Sequence, residues 1–132
     1  MKQFVLILLT SFLLPLTAMA QSTEKAYDVV EQMPEYPGGI PALIQFLQEN
    51  LQYPELAMAS RIEGRVLVAF IVEKDGSISD IHTVRSVDPS LDKEAIRVVS
   101  IMPKWAPGYM NGKPVRVRFT LPINFKLPTE EE

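Results

Sequence analysis

One stretch near the C-terminus decides the fold of this chain: Val115–Leu127, with the sequence VRVRFTLPINFKL. Its odd-numbered positions are all apolar, and its even-numbered positions carry polar, charged or proline residues. This alternation predicts a β-strand with one face in a core and the other in water. Pro122 has no N–H for a ladder hydrogen bond, so it favours an edge strand or a bulge. A long edge strand is a template for a strand of another chain, so the pattern predicts a binding surface.

Composition limits the possible classes of protein. The chain has 132 residues, 47% of them hydrophobic, which is enough for one domain. It contains no cysteine, which excludes a disulfide scaffold, a thiolate metal site and a cysteine nucleophile. The formal charge is −3, whereas nucleic-acid-binding domains usually carry a strong basic patch, so no nucleic-acid partner is expected.

Residues 1–20 have the features of a secretory signal peptide. Lys2 precedes an apolar run from Phe4 to Leu16, and the segment ends in Ala18-Met19-Ala20. This pattern predicts export to the periplasm with cleavage after Ala20. An uncleaved inner-membrane anchor facing the periplasm is the alternative, but this apolar segment is interrupted by Pro15 and is shorter than the roughly 20 residues of a spanning helix.

The remainder of the chain is predicted to hold a short leader, one domain and an acidic tail. Their ranges are 21–35 for the leader, 36–128 for the domain and 129–132 for the tail. Removing residues 1–20 takes away one lysine and no acid, so the formal charge changes from −3 to −4.

Within the domain, apolar spacing and turn residues predict three helices and three strands. The predicted helices are Ile40–Leu51, Pro54–Ser60 and a third that is capped by Asp88 and ends before Pro103. The predicted strands are Gly64–Val72, Ser77–Ser86 and Val115–Leu127, the first two joined by an Asp75-Gly76 hairpin turn. Gly64–Val72 is apolar on both faces and is therefore central. The predicted fold class is α+β: a three-stranded antiparallel or mixed sheet of order 2-1-3, with two to three helices on one face.

Several short motifs together resemble a known family. They are Tyr53-Pro54, Ile62-Glu63-Gly64-Arg65-Val66, Asp75-Gly76, Leu91-Asp92-Lys93-Glu94-Ala95, Trp105-Ala106-Pro107-Gly108 and Leu121-Pro122-Ile123-Asn124-Phe125. Their order and spacing resemble the C-terminal domain of TonB energy transducers from about Tyr36 to Leu127. The resemblance implies a periplasmic domain that binds an extended peptide, the TonB box, of an outer-membrane transporter. It also implies a link to transmembrane transport through an inner-membrane ExbB–ExbD-type complex.

The resemblance places peptide binding, by β-augmentation, on the third strand of the sheet. The partner-binding residues that it implies are Val115, Arg116, Val117, Arg118, Phe119, Thr120 and Leu121. Tyr53, Pro54 and Trp105 are possible secondary contacts, although a hinge role for Tyr53-Pro54 and a core role for Trp105 are favoured. The chain departs from full transducers because it lacks their long proline-rich linker, and residues 21–35 can reach only on the order of 50 Å. The resemblance therefore supports ligand capture more directly than energy transduction by this chain alone.

Two further questions stay open from the sequence. Arg116 and Arg118 could steer an acidic peptide flank, or they could protect an exposed edge from aggregation. The same edge could also serve a structural envelope protein, by pairing with itself in a homodimer or by docking on the cell wall or another envelope protein.

No catalytic, cofactor or metal site is predicted, and the chain is not expected to be an enzyme. His82 lies close to Ser79 and Asp80, but neighbouring strand residues alternate faces and do not converge on one triad. The acids around the start of the third helix, such as Asp88 and Asp92, are explained by helix capping and dipole complementarity.

Overall fold

The computed structural model of the chain describes residues 24–128, so the predicted signal peptide and acidic tail lie outside the described residues. In chain order the helices are α1 Gly39–Asn50, α2 Glu55–Ala59 and α3 Pro89–Ser100, and the strands are β1 Gly64–Val72, β2 Ile78–Arg85, β3 Gly108–Met110, β4 Lys113–Val115 and β5 Val117–Phe125.

The main sheet has three strands, with β1 in the centre and β2 and β5 on either side. Both pairings are antiparallel, and β1 pairs with β5 without interruption from Gly64 opposite Phe125 to Val72 opposite Val117. The predicted order 2-1-3 is confirmed. The central position of β1 agrees with its apolar residues on both faces.

The hydrophobic core lies on one face of this sheet. It contains the even-numbered residues of β1 from Val66 to Val72, together with the odd-numbered residues of β5 from Phe119 to Phe125 and apolar residues from all three helices. Leu91, Ala95, Val98 and Val99 of α3 are buried against it, as their helical spacing predicts. The helices therefore pack on one face of the sheet.

The turns follow the predicted chemistry. The side chain of Asp88 accepts a hydrogen bond of 3.0 Å from the backbone N–H of Ser90, and Pro89 occupies the first position of α3. In the β1–β2 turn, Gly76 has a φ of 91°, and a Cβ at this residue would lie 2.1 Å from the carbonyl oxygen of Trp105. Only glycine fits there, because both the backbone angle and the contact exclude a side chain.

The predicted strand Val115–Leu127 is wrong in its extent. Val115 belongs to β4, which pairs with β3 in a separate two-stranded sheet, and β5 begins at Val117 and ends at Phe125. Asn111 and Gly112, with φ of 54° and 77°, close the β3–β4 hairpin, which is not among the predicted elements. The alternation of side chains continues across the break at Arg116, so periodicity could not show where the strand begins.

The segment before Tyr36 packs on the domain. Its backbone forms isolated bridges from Tyr27 to Val117, from Gln32 to Tyr109 and from Glu35 to Ala106. Val30 is buried within it. Part of the predicted leader therefore contributes contacts to the folded unit, including one on β5 itself.

Candidate functional site

The candidate site is the outer edge of β5, on the side away from β1. The backbone of Tyr27 marks which groups point there: its N–H donates to the carbonyl of Arg116 at 2.9 Å, and its carbonyl accepts from the N–H of Arg118 at 2.7 Å. Alternate residues of a strand point their backbone groups to opposite edges of the sheet. The N–H and C=O groups of the even-numbered residues of β5 therefore point to the outer edge. The odd-numbered residues pair with β1.

The outward direction of the even-numbered backbone groups explains why a proline is tolerated at position 122. Pro122 lies opposite Leu67 in the register, but its nitrogen faces outward, so the missing N–H removes no hydrogen bond to β1. Beyond the Tyr27 bridge, no backbone group of residues 24–128 pairs with the outer edge of β5. The outward row there consists of the N–H and C=O groups of Thr120 and Asn124 and the C=O group of Pro122.

The start of the edge is covered by a short segment, Glu24–Asp28, which we call the N-terminal arm. Besides the Tyr27 bridge, Asp28 accepts a 2.8 Å hydrogen bond from Arg118, and Glu24 lies 2.7 Å from the ammonium of Lys74. These ion pairs are largely exposed to solvent, where such pairs contribute about 0–1 kcal/mol each. These ion pairs therefore add little to the two backbone hydrogen bonds of Tyr27 that hold the arm on β5.

Arg116 and Arg118 both pair with carboxylates of this chain. The guanidinium of Arg116 lies 2.7 Å from Glu73, the residue that follows β1, and also donates to the carbonyl of Glu24. This hydrogen bond from Arg116 holds the pKa of the Glu73 carboxyl below its ordinary value, and Ser79 adds a second donor. The two arginines thus join the arm and β1 to the start of β5.

The seven residues predicted to bind a partner divide into two groups. Val115 pairs with Gly108 in the small sheet, and the stretch Arg116–Arg118 lies beneath the N-terminal arm. Phe119, Thr120 and Leu121 lie along the open part of the edge. The open part of the edge continues through Pro122, Ile123 and Asn124, which the seven predicted residues do not include. Pro122 itself carries the sequence signal for this, because a proline in an edge strand turns its nitrogen to the free edge.

Two of the predicted secondary contacts, Trp105 and Tyr53, pack against core-facing side chains of β5. Trp105 is 4% exposed and packs edge to face against Phe70 and Phe119, with ring centroids 5.5 Å and 5.0 Å away. Tyr53 stands edge-on to Phe125, and its hydroxyl donates to the carbonyl of Ile62. Pro54 caps α2.

A groove runs beside the open edge, between α1 and β5. Its volume is about 630 Å³. The helix supplies the wall with Ile40, Ile44 and Leu47, and the strand supplies the floor with Phe119, Leu121 and Ile123. Ile40 and Ile44 are 65% and 50% exposed, although both are large and apolar.

The residues weighed for catalysis or metal binding do not converge. The ring of His82 approaches the carbonyl of Asp80 at 3.0 Å, while the hydroxyl of Ser79 donates to Glu73 instead. Within residues 24–128 there is no group of three or more histidine, cysteine or acidic side chains placed to hold a metal ion. In the same range, no helix has the length and apolar character needed to cross a membrane.

Comparison with known proteins agrees with this architecture. Residues 49–127 match the family model described as the Gram-negative bacterial TonB protein C-terminal. The chain belongs to this family. The match includes β1, β2, α3 and the whole of β5, so the candidate edge lies inside the family domain, whereas the N-terminal arm and most of α1 precede it.

Curated relatives and solved structures carry the same family name. The chain is 35% identical over 75 residues to Protein TonB of Pseudomonas aeruginosa, which covers 57% of this chain and 22% of the relative. It is 49% identical over 35 residues to Protein TonB of Helicobacter pylori, covering 26% of this chain and 12% of the relative. The chain therefore matches about a fifth or less of the length of these relatives. An NMR solution structure of the Helicobacter pylori TonB-CTD superposes with a TM-score of 0.52 at 26% identity, over 67% of this chain and 79% of that one.

Proposed function

We propose that this TonB family domain captures an extended peptide, the TonB box of an outer-membrane transporter, by adding it as a strand to the outer edge of β5. The observation that carries the proposal is the outward row of backbone groups at Thr120, Pro122 and Asn124, which no segment of residues 24–128 covers. A peptide strand lying there would receive two N–H donors and three carbonyl acceptors from β5.

The usable edge begins after the N-terminal arm. Arg118 already donates its N–H to Tyr27, so a guest strand that stays between Phe119 and Phe125 leaves the arm in place. A longer guest would have to displace the arm, whose exposed ion pairs contribute little. The open part of the edge is therefore the proposed binding site, and the arm sets its N-terminal limit.

The wider role follows from family membership. In the proposed role the domain works in the periplasm, delivered there by the signal at residues 1–20. It supports energy-coupled transport in concert with an inner-membrane ExbB–ExbD-type complex. Among the alternatives, self-pairing through β5 would use the same backbone groups, so one experiment must separate the two.

The test is titration of the domain with a synthetic peptide that spans the TonB box of a transporter from the same genome. We expect saturable binding at one peptide per domain by calorimetry. Two matched peptides are N-methylated on alternate amides, the first peptide on one set of amides and the second on the other set. Because a strand directs alternate amides to opposite edges, only one of the two peptides should lose affinity.

No binding of the unmodified peptide, or equal binding of both methylated peptides, would contradict strand addition. Sedimentation of the domain alone at several concentrations is the companion measurement. If sedimentation shows a dimer and calorimetry shows no peptide binding, the edge serves self-pairing.

A further inference from the structure

We infer that the groove between α1 and β5 contacts the side chains of the captured strand and selects peptides with an apolar residue at every second position. The inference rests on the proposed function, because it concerns the same guest strand. It adds a specificity surface to a backbone contact that by itself is indifferent to sequence.

The position of the groove identifies the kind of guest that it fits. Its floor is β5 from Phe119 to Asn124, the same stretch whose outward backbone groups are open. A compact ligand in the groove would leave those backbone groups unused, whereas an extended strand satisfies them while lying along the floor. The continuity of groove and open edge therefore favours a peptide strand as the occupant.

Strand geometry determines which side chains enter the groove. Side chains of an added strand alternate between the two faces of the sheet. The odd-numbered residues of β5 point to the face covered by the helices, where Leu43 of α1 packs in the same core cluster as Leu121 and Ile123. Every second side chain of the guest would point to this face, towards Ile40 and Ile44.

The chemistry of the lining sets the preference. Among the described residues, those that line the groove include no charged side chain. An apolar guest side chain would cover Ile40 and Ile44, which are otherwise in water, while a charged one would lose hydration without gaining a partner. The other set of guest side chains would lie on the solvent face near Arg118 and Thr120, where polar residues are tolerated.

The experiment compares two peptides on three forms of the protein. The first peptide alternates valine with threonine, and the second has serine in place of each valine. The variants are Ile44→Asp, which places a carboxylate in the groove, and Leu56→Asp, its control. Leu56 is also an apolar helix residue, is 76% exposed, and does not line the groove.

We expect the wild type to bind the valine peptide at least about tenfold more tightly than the serine peptide, in line with the burial of apolar side chains. Ile44→Asp should remove most of this difference, and Leu56→Asp should keep it. Unfolding curves of both variants check that the fold is intact.

The other outcomes would overturn the inference in different ways. Equal binding of the two peptides by the wild type would leave strand capture standing and refute selection by the groove. A preference unchanged in Ile44→Asp would place the selection elsewhere. Binding of neither peptide would refute strand capture together with the groove. A wild-type dimer that Ile44→Asp dissociates would assign the groove to a second copy of the chain.

Discussion

Replacing Thr120 and Asn124 together by proline is expected to weaken peptide binding by at least about thirtyfold while the domain stays folded. Each substitution removes an outward N–H from the proposed guest strand and leaves the pairing of β5 with β1 intact. A backbone hydrogen bond contributes roughly 1 kcal/mol net, so two lost bonds correspond to about thirtyfold in affinity. The proline rings also obstruct the approach of a guest strand.

The control is the double alanine variant at the same two positions. Alanine keeps both N–H groups and removes only the side chains, including the Asn124 oxygen that accepts a 3.2 Å hydrogen bond from Arg65. Its affinity, measured by calorimetry with the same peptide, should stay within a few-fold of wild type. Circular dichroism should show an intact fold in both variants, as Pro122 is already accommodated at an equivalent outward position. A double proline variant that binds as tightly as the wild type would refute the proposed edge.

Trp105→Ala is expected to destabilise the domain by about 3–5 kcal/mol, the usual effect of removing a large buried aromatic side chain. Trp105 lies between α3 and β3 in the chain and joins Tyr36, Phe70 and Phe119 in one aromatic cluster. Its loss would leave a cavity between Tyr36, β1 and β5. Since small domains have only about 5–15 kcal/mol of stability, this change should bring the protein close to unfolding.

Urea denaturation followed by circular dichroism measures the effect, because the only tryptophan of the chain is removed by the substitution. Trp105→Phe is the matched control, since it keeps an aromatic ring in the cluster and should cost less than the alanine variant. A loss of less than about 1 kcal/mol in Trp105→Ala would place this residue outside the core. In that case its role as a partner contact would become the better interpretation.

The sequence predicts the framework of the fold well because its signals are local. The continuous apolar run of Gly64–Val72, the Asp75-Gly76 turn and the Asp88-Pro89 helix start each depend on neighbouring residues. All three appear in the structure as predicted. Pro122 correctly indicated an edge strand, which β5 is. Side-chain patterns fix which face of a strand is buried.

The details of the candidate site depend on longer-range contacts. The hydrogen bonds of Tyr27, about ninety residues earlier in the chain, establish the outward direction of the even-numbered backbone groups. The partial cover by the N-terminal arm also depends on contacts between residues distant in the sequence. No local pattern around Glu24 and Asp28 places them on β5. The groove depends on the distance between α1 and β5. The spacing of residues within either element does not predict that distance.

Hydrogen exchange at single amides tests the central claim most directly. In the free domain the amides of Thr120 and Asn124 face away from β1 and should exchange quickly, whereas those of Phe119 and Leu121 face β1 and should be protected. Saturation with the TonB-box peptide should slow exchange at Thr120 and Asn124 at least about tenfold, with Phe119 and Leu121 protected throughout. Unchanged exchange at Thr120 and Asn124 in the presence of bound peptide would contradict strand addition at this edge.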